Sequence, residues 1–259
     1  MKKRLLYCLL LLAISLSLLP TAAYAKKYKK QWVESKGSFR YYDKKGKKVK
    51  GLTKIGKKTY YFDSKGKQLV GWQKIGKNYY FFRRSKGKKG YMLKSQTVNH
   101  VTLKKNGKAV KTSNSKRLYA LAQAQKIVEA ASQQTDKKSV KLKKSWNYFQ
   151  KNYRYRGELR FRNSTNWDVF YARNVFMTGK GNCYGLGAAW AYIASACGYE
   201  KSYAVSSGGH GWCEVNGRVF DPSWAKTDTR YSYYNMDMSM SGRNRIPNYK
   251  KAGIYKKKI

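Results

Sequence analysis

Hydrophobic positions recur at helical spacing from Cys183 onward, through Leu186, Ala189, Trp190, Ile193, Ala194 and Cys197, until Gly198 stops them. The pattern predicts a helix with Cys183 in its first turn and on its inward face. Two alternating runs follow, His210 to Val215 and Arg218 to Asp221, joined by Asn216-Gly217, a strong short hairpin signal. A two-residue turn there sets Trp212 opposite Asp221 and makes His210 its diagonal neighbour on the same face. Upstream, Leu118, Leu121, Ala122, Ile127 and Val128 predict a helix up to about Ser132. Leu142 to Tyr153, with Trp146 and Phe149, predicts a second one after the polar break at Asp136 to Ser139. Arg154 to Asp168 reads as loop with at most a short strand, and Asn163, Asn166 and Trp167 fit turn caps better than a cleft lining. Beyond Trp224, Met236, Met238 and Met240 read as packing residues among surface turns, and Lys256-Lys257-Lys258 as a solvated tail.

Before residue 115 the pattern is of another kind. A shift of 20 lays Tyr41-Tyr42-Asp43 on Tyr61-Phe62-Asp63 and Phe81-Phe82-Arg83, Gly46 on Gly66, Gly51 on Gly71, and Ile55-Gly56 on Ile75-Gly76. Each unit has an aromatic cluster, a Lys-Gly-Lys turn and a second short run, which suggests one β-hairpin per unit, stacked on the next. After one inserted residue the pattern continues through Gly87 and Gly107 in a degenerate form, with Val101-Thr102-Leu103 in place of the aromatics. Lys111 to Ser115 is polar and aperiodic and reads as a boundary. The organisation expected is a leader over 1–25, repeats over 26–111, a linker over 112–117 and a second domain over 118–259.

The leader reads as a signal peptide: Lys2, Lys3 and Arg4, an apolar run from Leu5 to Leu19, Pro20, then Ala23-Tyr24-Ala25 as a cleavage site. The apolar run is short for a membrane span. With the leader and its Cys8 removed, Cys183, Cys197 and Cys213 remain, an odd number that leaves at least one thiol unpaired within an exported chain. The whole chain carries 57 Lys and Arg against 12 Asp and Glu, and the part from Lys26 onward keeps a net charge of about +42. Such a field calls for a polyanion. Export turns the expectation from nucleic acid to an anionic cell-wall polymer or glycan, such as teichoic acid or peptidoglycan carboxylates, with no membrane association after leader removal. Few acids and no Cys/His cluster give no reason to expect calcium, zinc or another cofactor.

From Lys30 to Lys111 the repeats resemble the cell-wall-binding repeats of Gram-positive bacteria, of the choline- and glucan-binding type. In choline binders, Trp and Tyr of neighbouring hairpins cage a quaternary ammonium. The resemblance implies a β-hairpin solenoid located at the cell wall, with Tyr41, Tyr42, Tyr60, Tyr61, Trp72, Tyr79 and Tyr80 as candidate wall-binding residues. Residues 26 to 115 carry 28 Lys and Arg against Glu34, Asp43 and Asp63, which favours a polyanion or decorated glycan as the ligand. The same rings also serve to pack one hairpin on the next.

Cys, His and Asp in this order supply a thiol nucleophile, its base and the group that orients the base. At a helix start the unpaired N–H groups and the positive end of the dipole favour the thiolate form. Gly179-Lys-Gly-Asn-Cys183-Tyr-Gly, Gly209-His210-Gly-Trp-Cys-Glu and Phe220-Asp221-Pro222 together resemble the transglutaminase-like superfamily of papain-like folds. That resemblance covers Leu118 to Trp224. It implies an α+β papain-like domain with Cys183 as nucleophile, His210 as base and Asp221 as orienter, and a thioester formed at an amide of a wall peptide or surface protein. Water as acceptor makes a peptidase or amidase, an amine makes a crosslinking transglutaminase, and the sequence leaves both open. A wall-bound adhesin or scaffold with an inactive domain is the rival expectation.

Overall fold

The computed structural model describes residues 28–84, 90–112, 114–157, 160–250 and 254–259. The leader expected over 1–25 lies outside the described residues. Four antiparallel hairpins come first. They pair β1 (Gln31–Ser35) with β2 (Ser38–Tyr42), β3 (Gly51–Ile55) with β4 (Lys58–Phe62), β6 (Gly71–Ile75) with β7 (Asn78–Phe82), and β8 (Gln96–Val98) with β9 (Val101–Leu103); β5 (Gln68–Leu69) adds to β4.

The phase of the hairpins differs from the one expected. Tight turns fall at Lys36-Gly37, Gly56-Lys57 and Gly76-Lys77, and the Lys-Gly-Lys segments carry the chain from one hairpin toward the next. Asp43 and Asp63 explain why: each carboxylate accepts backbone N–H bonds two and four residues on, from Lys45 and Lys47 and from Lys65 and Lys67, at 2.8 to 2.9 Å. Successive hairpins meet through their rings, Trp32 with Tyr60 at 4.9 Å and Tyr61 with Phe82 at 5.8 Å.

A mixed α/β region follows. It comprises α1 (Ser115–Ala131), α2 (Lys138–Asn152), β10 (Arg154–Tyr155), α3 (Trp167–Thr178), β11 (Lys180–Gly181), α4 (Cys183–Ala196), β12 (Ser202–Ser206), β13 (Gly211–Val215), β14 (Arg218–Phe220), the single turn α5 (Trp224–Thr227) and β15 (Tyr255–Lys258). One antiparallel sheet runs in the order β14-β13-β12-β15. Helix α4 is buried along all of its 14 residues and packs against β12 and β13. No described helix is long and apolar enough to cross a membrane.

Three segments depart from the sequence expectation. Helix α3 was hidden because Phe170 and Met177 are exposed while Trp167, Tyr171 and Val175 are buried, so apolar residues occur on both faces and blur the period. The Lys256-Lys257-Lys258 end is an edge strand and not a tail. Main-chain pairing of Tyr255–Lys258 with Ser206–Tyr203 holds it, and hydropathy does not report such pairing. The stretch after Trp224 contributes more than turns: Tyr233, Met236, Ile246 and Tyr249 form a second core with Val205, Trp212 and Val219.

The repeats and the α/β region share a core in which Trp72, Tyr79, Phe81, Val101 and Leu103 pack with α1 and α4 residues. Polar bonds cross the same junction. Gln73 Nε2 donates across it to Glu129 Oε1 at 2.6 Å, while within the repeats Trp72 Nε1 donates to Asn99 Oδ1 at 2.9 Å. Asn99 Nδ2 in turn donates to Ser195 Oγ of α4 at 3.0 Å.

Candidate functional site

Asn182 caps α4, its Oδ1 accepting from Gly185 N at 3.0 Å, so Cys183 stands at the first helical position. The β13–β14 register pairs Cys213 with Phe220, Glu214 with Val219 and Val215 with Arg218. Asn216 and Gly217 both have positive φ, +50° and +79°, as a two-residue hairpin turn of this type requires. His210 directly precedes β13 and Asp221 directly follows β14, so the two ends of one hairpin carry the imidazole and the carboxylate.

The structure brings the three side chains together. His210 Nε2 lies 2.6 Å from Asp221 Oδ2, and the imidazole also shares a side-chain hydrogen bond with Cys183. With Nε2 engaged by the carboxylate, Nδ1 is the nitrogen left for the thiol. Burial alone would lower the pKa of His210. The charge and hydrogen bond of Asp221, together with Cys183, outweigh it and raise the value to about 10. Asp221 is fully buried, which by itself would raise its pKa, yet His210 and the surrounding donors hold it below the usual carboxylate range.

Those donors were not legible as site residues. Asp221 Oδ1 accepts from Ser223 N at 3.1 Å, Ser223 Oγ at 2.7 Å and Trp224 N at 3.0 Å, and Oδ2 accepts from Tyr249 Oη at 3.0 Å. The Asp-Pro-Ser spelling, a turn signal in which an Asp side chain bonds the backbone just ahead, could have found Ser223. Nothing near Tyr249 marks it, since it returns from an irregular segment. Burial and the Asp221 charge raise the Tyr249 pKa, so its hydroxyl stays a donor. Tyr249→Phe leaves a buried carboxylate short of one donor, and we expect the chain to lose about 1–3 kcal/mol of stability, read as a lower urea midpoint.

The loop before His210 is fixed from α4, Tyr184 Oη donating to Gly208 O at 2.8 Å. Tyr155 of β10 lies close enough to Cys183 and Asp221 for their charges to act on it. It is half exposed, and its pKa is raised by burial and then by the Cys183 and Asp221 charges. Asn163 is exposed and Trp167 is sealed in the core, while Asn166 precedes α3 and accepts from Arg117 at 3.5 Å. Cys197 and Cys213 are free and buried. Burial raises the Cys197 pKa to about 12 and that of Cys213 well above its ordinary value, so neither competes as a nucleophile.

In the repeats, Trp72, Tyr60, Tyr79 and Tyr80 are buried, whereas Tyr41, Tyr42 and Tyr61 keep part of their surface. Trp32 was overlooked as a binding candidate. Two steps of the 20-residue shift relate it to Trp72, and it faces Tyr41 across the first hairpin at a ring distance of 5.3 Å while remaining partly exposed.

Comparison with known proteins bears on the repeats. Choline binding protein F from Streptococcus pneumoniae, solved in the presence of a peptidoglycan analogue, aligns at 27% identity over 31% of this chain and 27% of its own, with a TM-score of 0.28. The choline binding domain of Spr1274 from the same organism aligns at 22% identity over 30% of this chain and 92% of its own, also at 0.28. The multimodular cell wall endolysin from phage Cp-1, complexed with choline, aligns at 20% identity over 33% of this chain and 25% of its own, at 0.25. The present chain thus spans about a quarter of the length of the first of these, and scores this low carry no inference about the whole fold. No curated protein matches the chain. The family model described as the choline-binding repeat matches residues 49–91, the stretch that holds the hairpins β3–β4 and β6–β7.

Proposed function

We propose that the chain is an exported, wall-associated thiol enzyme: a papain-like, transglutaminase-like α+β domain held at the wall by a hairpin solenoid. One observation carries the catalytic half of this reading. A helix-start cysteine and a buried carboxylate engage the same imidazole from its two sides. Cys183 Sγ attacks an amide carbonyl. The oxyanion forms beside the first N–H groups of α4, and that of Cys183 is the candidate donor. His210 delivers its proton to the leaving amine, and the C–N bond breaks to leave a thioester on Cys183. Water or a second amine then gives a proton to His210, attacks the thioester and releases the thiol. Asp221 stabilises the imidazolium that stands before the first step and forms again when the incoming nucleophile gives up its proton, and it fixes which nitrogen meets the thiol.

The wall half rests on the choline-binding repeat match and on the charge of the repeats. We place wall contact on the first two hairpins, where Trp32, Tyr41, Tyr42 and Tyr61 keep accessible surface, because the third hairpin is closed against α1 and α4.

The test is incubation of the mature chain with isolated walls, followed by mass spectrometry of released and retained fragments, with and without an added amine. Wild type is expected to bind walls and change the peptide fragments. Cys183→Ser is expected to bind equally and change none, and Trp32→Ala to bind less. Wall binding with unchanged fragments throughout would make the chain an adhesin or scaffold. Amine incorporation would identify transamidation, and its absence alongside cleavage would identify hydrolysis.

A further inference from the structure

A cleft of about 850 Å³ opens between the third hairpin and the α/β region, at the end of α4 remote from Cys183. Its walls come from elements far apart in sequence. Arg83 and Arg84 follow β7, Lys137, Lys138 and Lys141 belong to the start of α2, and Lys258 ends β15. Against these six cations the lining holds two acids, Asp136 and Glu200, and Asp136 is already engaged by Lys144 at 2.9 Å. The positive charge is therefore not neutralised within the cleft.

The cations are presented in a fixed way. Arg84 is held by two bonds to Gln125 Oε1, at 3.0 and 3.3 Å, and its guanidinium lies 4.8 Å over the Phe81 ring. Lys141 Nζ donates to Gln134 O at 2.7 Å. Burial lowers the Lys141 pKa and the charge of Arg84 adds to that effect, while Cys197 and Asp136 oppose it. Two cations thus repel one another across a partly desolvated space. Lys137 and Ser139 line the same cleft where the 15-residue α2 begins, and that helix start has no side-chain cap.

We propose that this cleft binds a phosphodiester polyanion, a chain of phosphate groups joined by neutral polyol links. Guanidinium, ammonium and helix-start N–H donors approach from different walls. Phosphate oxygens accept from several directions around a tetrahedral phosphorus, so successive phosphates of one chain can meet cations on different walls. Phe81, Leu93 and Val98 on the hairpin side offer apolar surface to the links between charges. The cleft and Cys183 occupy opposite ends of α4, about 20 Å apart along the helix, so a seated polymer would leave the thiol site open. The inference rests on the reading that the chain works at an anionic wall, and it names a place and a chemistry for that contact separate from the aromatic rings.

Isothermal titration of the mature chain with poly(glycerol phosphate) tests it, with polyglutamate of matched length as the carboxylate probe. The double variant Lys137→Glu, Lys138→Glu reverses charge in the cleft. Lys57→Glu, Lys77→Glu makes the same net change on hairpin turns outside it. The cleft variant is expected to bind poly(glycerol phosphate) about tenfold or more weakly, and the turn variant less than about threefold more weakly, with polyglutamate well behind for wild type. Equal weakening in both variants would mean that the diffuse field holds the polymer, and would overturn the proposal. Equal affinity for polyglutamate would overturn its phosphate chemistry. Wild type that binds walls but not poly(glycerol phosphate) sinks the cleft alone; binding to neither sinks the wall reading with it.

Discussion

His210→Ala is expected to slow the alkylation of Cys183 by iodoacetamide about tenfold or more at neutral pH. That dependence comes from His210, whose pKa of about 10 keeps an imidazolium beside the sulfur throughout the neutral range. Cys197 and Cys213 do not confuse the measurement, because burial holds both as unreactive thiols. A Cys183 that reacts as a free thiol, whatever stands at position 210, would remove the catalytic reading. The same pair shapes stability. The folded state holds the His210 proton above the ordinary value of 6.5, so this contribution is complete below that value and is lost as pH rises through about 10. The pKa of Asp221 is lowered, so its contribution is present above the ordinary 3.8 and fades as pH falls. Thermal melts of wild type should decline from neutral pH toward pH 10, and His210→Asn should flatten that decline.

Much of the site was legible because its parts sit at positions that local patterns define. A helix start, a two-residue turn and strand parity are enough to bring Cys183, His210 and Asp221 near one another once α4 packs on the sheet. Tyr249 was not legible, because an irregular return path places it against Asp221 and no periodicity describes such a path. The repeats show the same division. Their 20-residue period revealed the hairpin content, but the phase depended on whether Gly56 or Gly46 made the tight turn. Asp43, bonding Lys45 and Lys47, settles Gly46 as the connector. That Trp72 is closed by Asn99 and the α4 end is a tertiary fact, and the sequence of the repeat alone treats it like Trp32.

Gly187→Ala is expected to damage the fold more than the same change at Gly185, the other glycine of α4. A Cβ at Gly187 would lie 2.7 Å from the Trp212 carbonyl oxygen and 2.8 Å from its carbonyl carbon and Cα, all of them backbone atoms of the central strand β13. At Gly185 the nearest atom is the side-chain Cγ2 of Val175, also at 2.8 Å, and a rotamer change can relieve that contact. Alanine in a helix is worth about 1 kcal/mol over glycine, so a solvent-facing position would gain from the change. Here overpacking costs about 1–3 kcal/mol or more, because either helix or strand must move. The net expected effect of Gly187→Ala is a fall in Tm of several degrees, roughly 2–4 °C per kcal/mol for a chain of this size, with Gly185→Ala close to neutral. The strand that must yield begins directly after His210, and the helix that pushes it begins at Cys183. Separation of α4 from β13 therefore lengthens the sulfur-to-imidazole contact itself, and the His210-dependent part of Cys183 alkylation should fall in Gly187→Ala even at temperatures where the chain remains folded. Unchanged Tm and alkylation would show that the helix and sheet are not in the close contact on which the site depends.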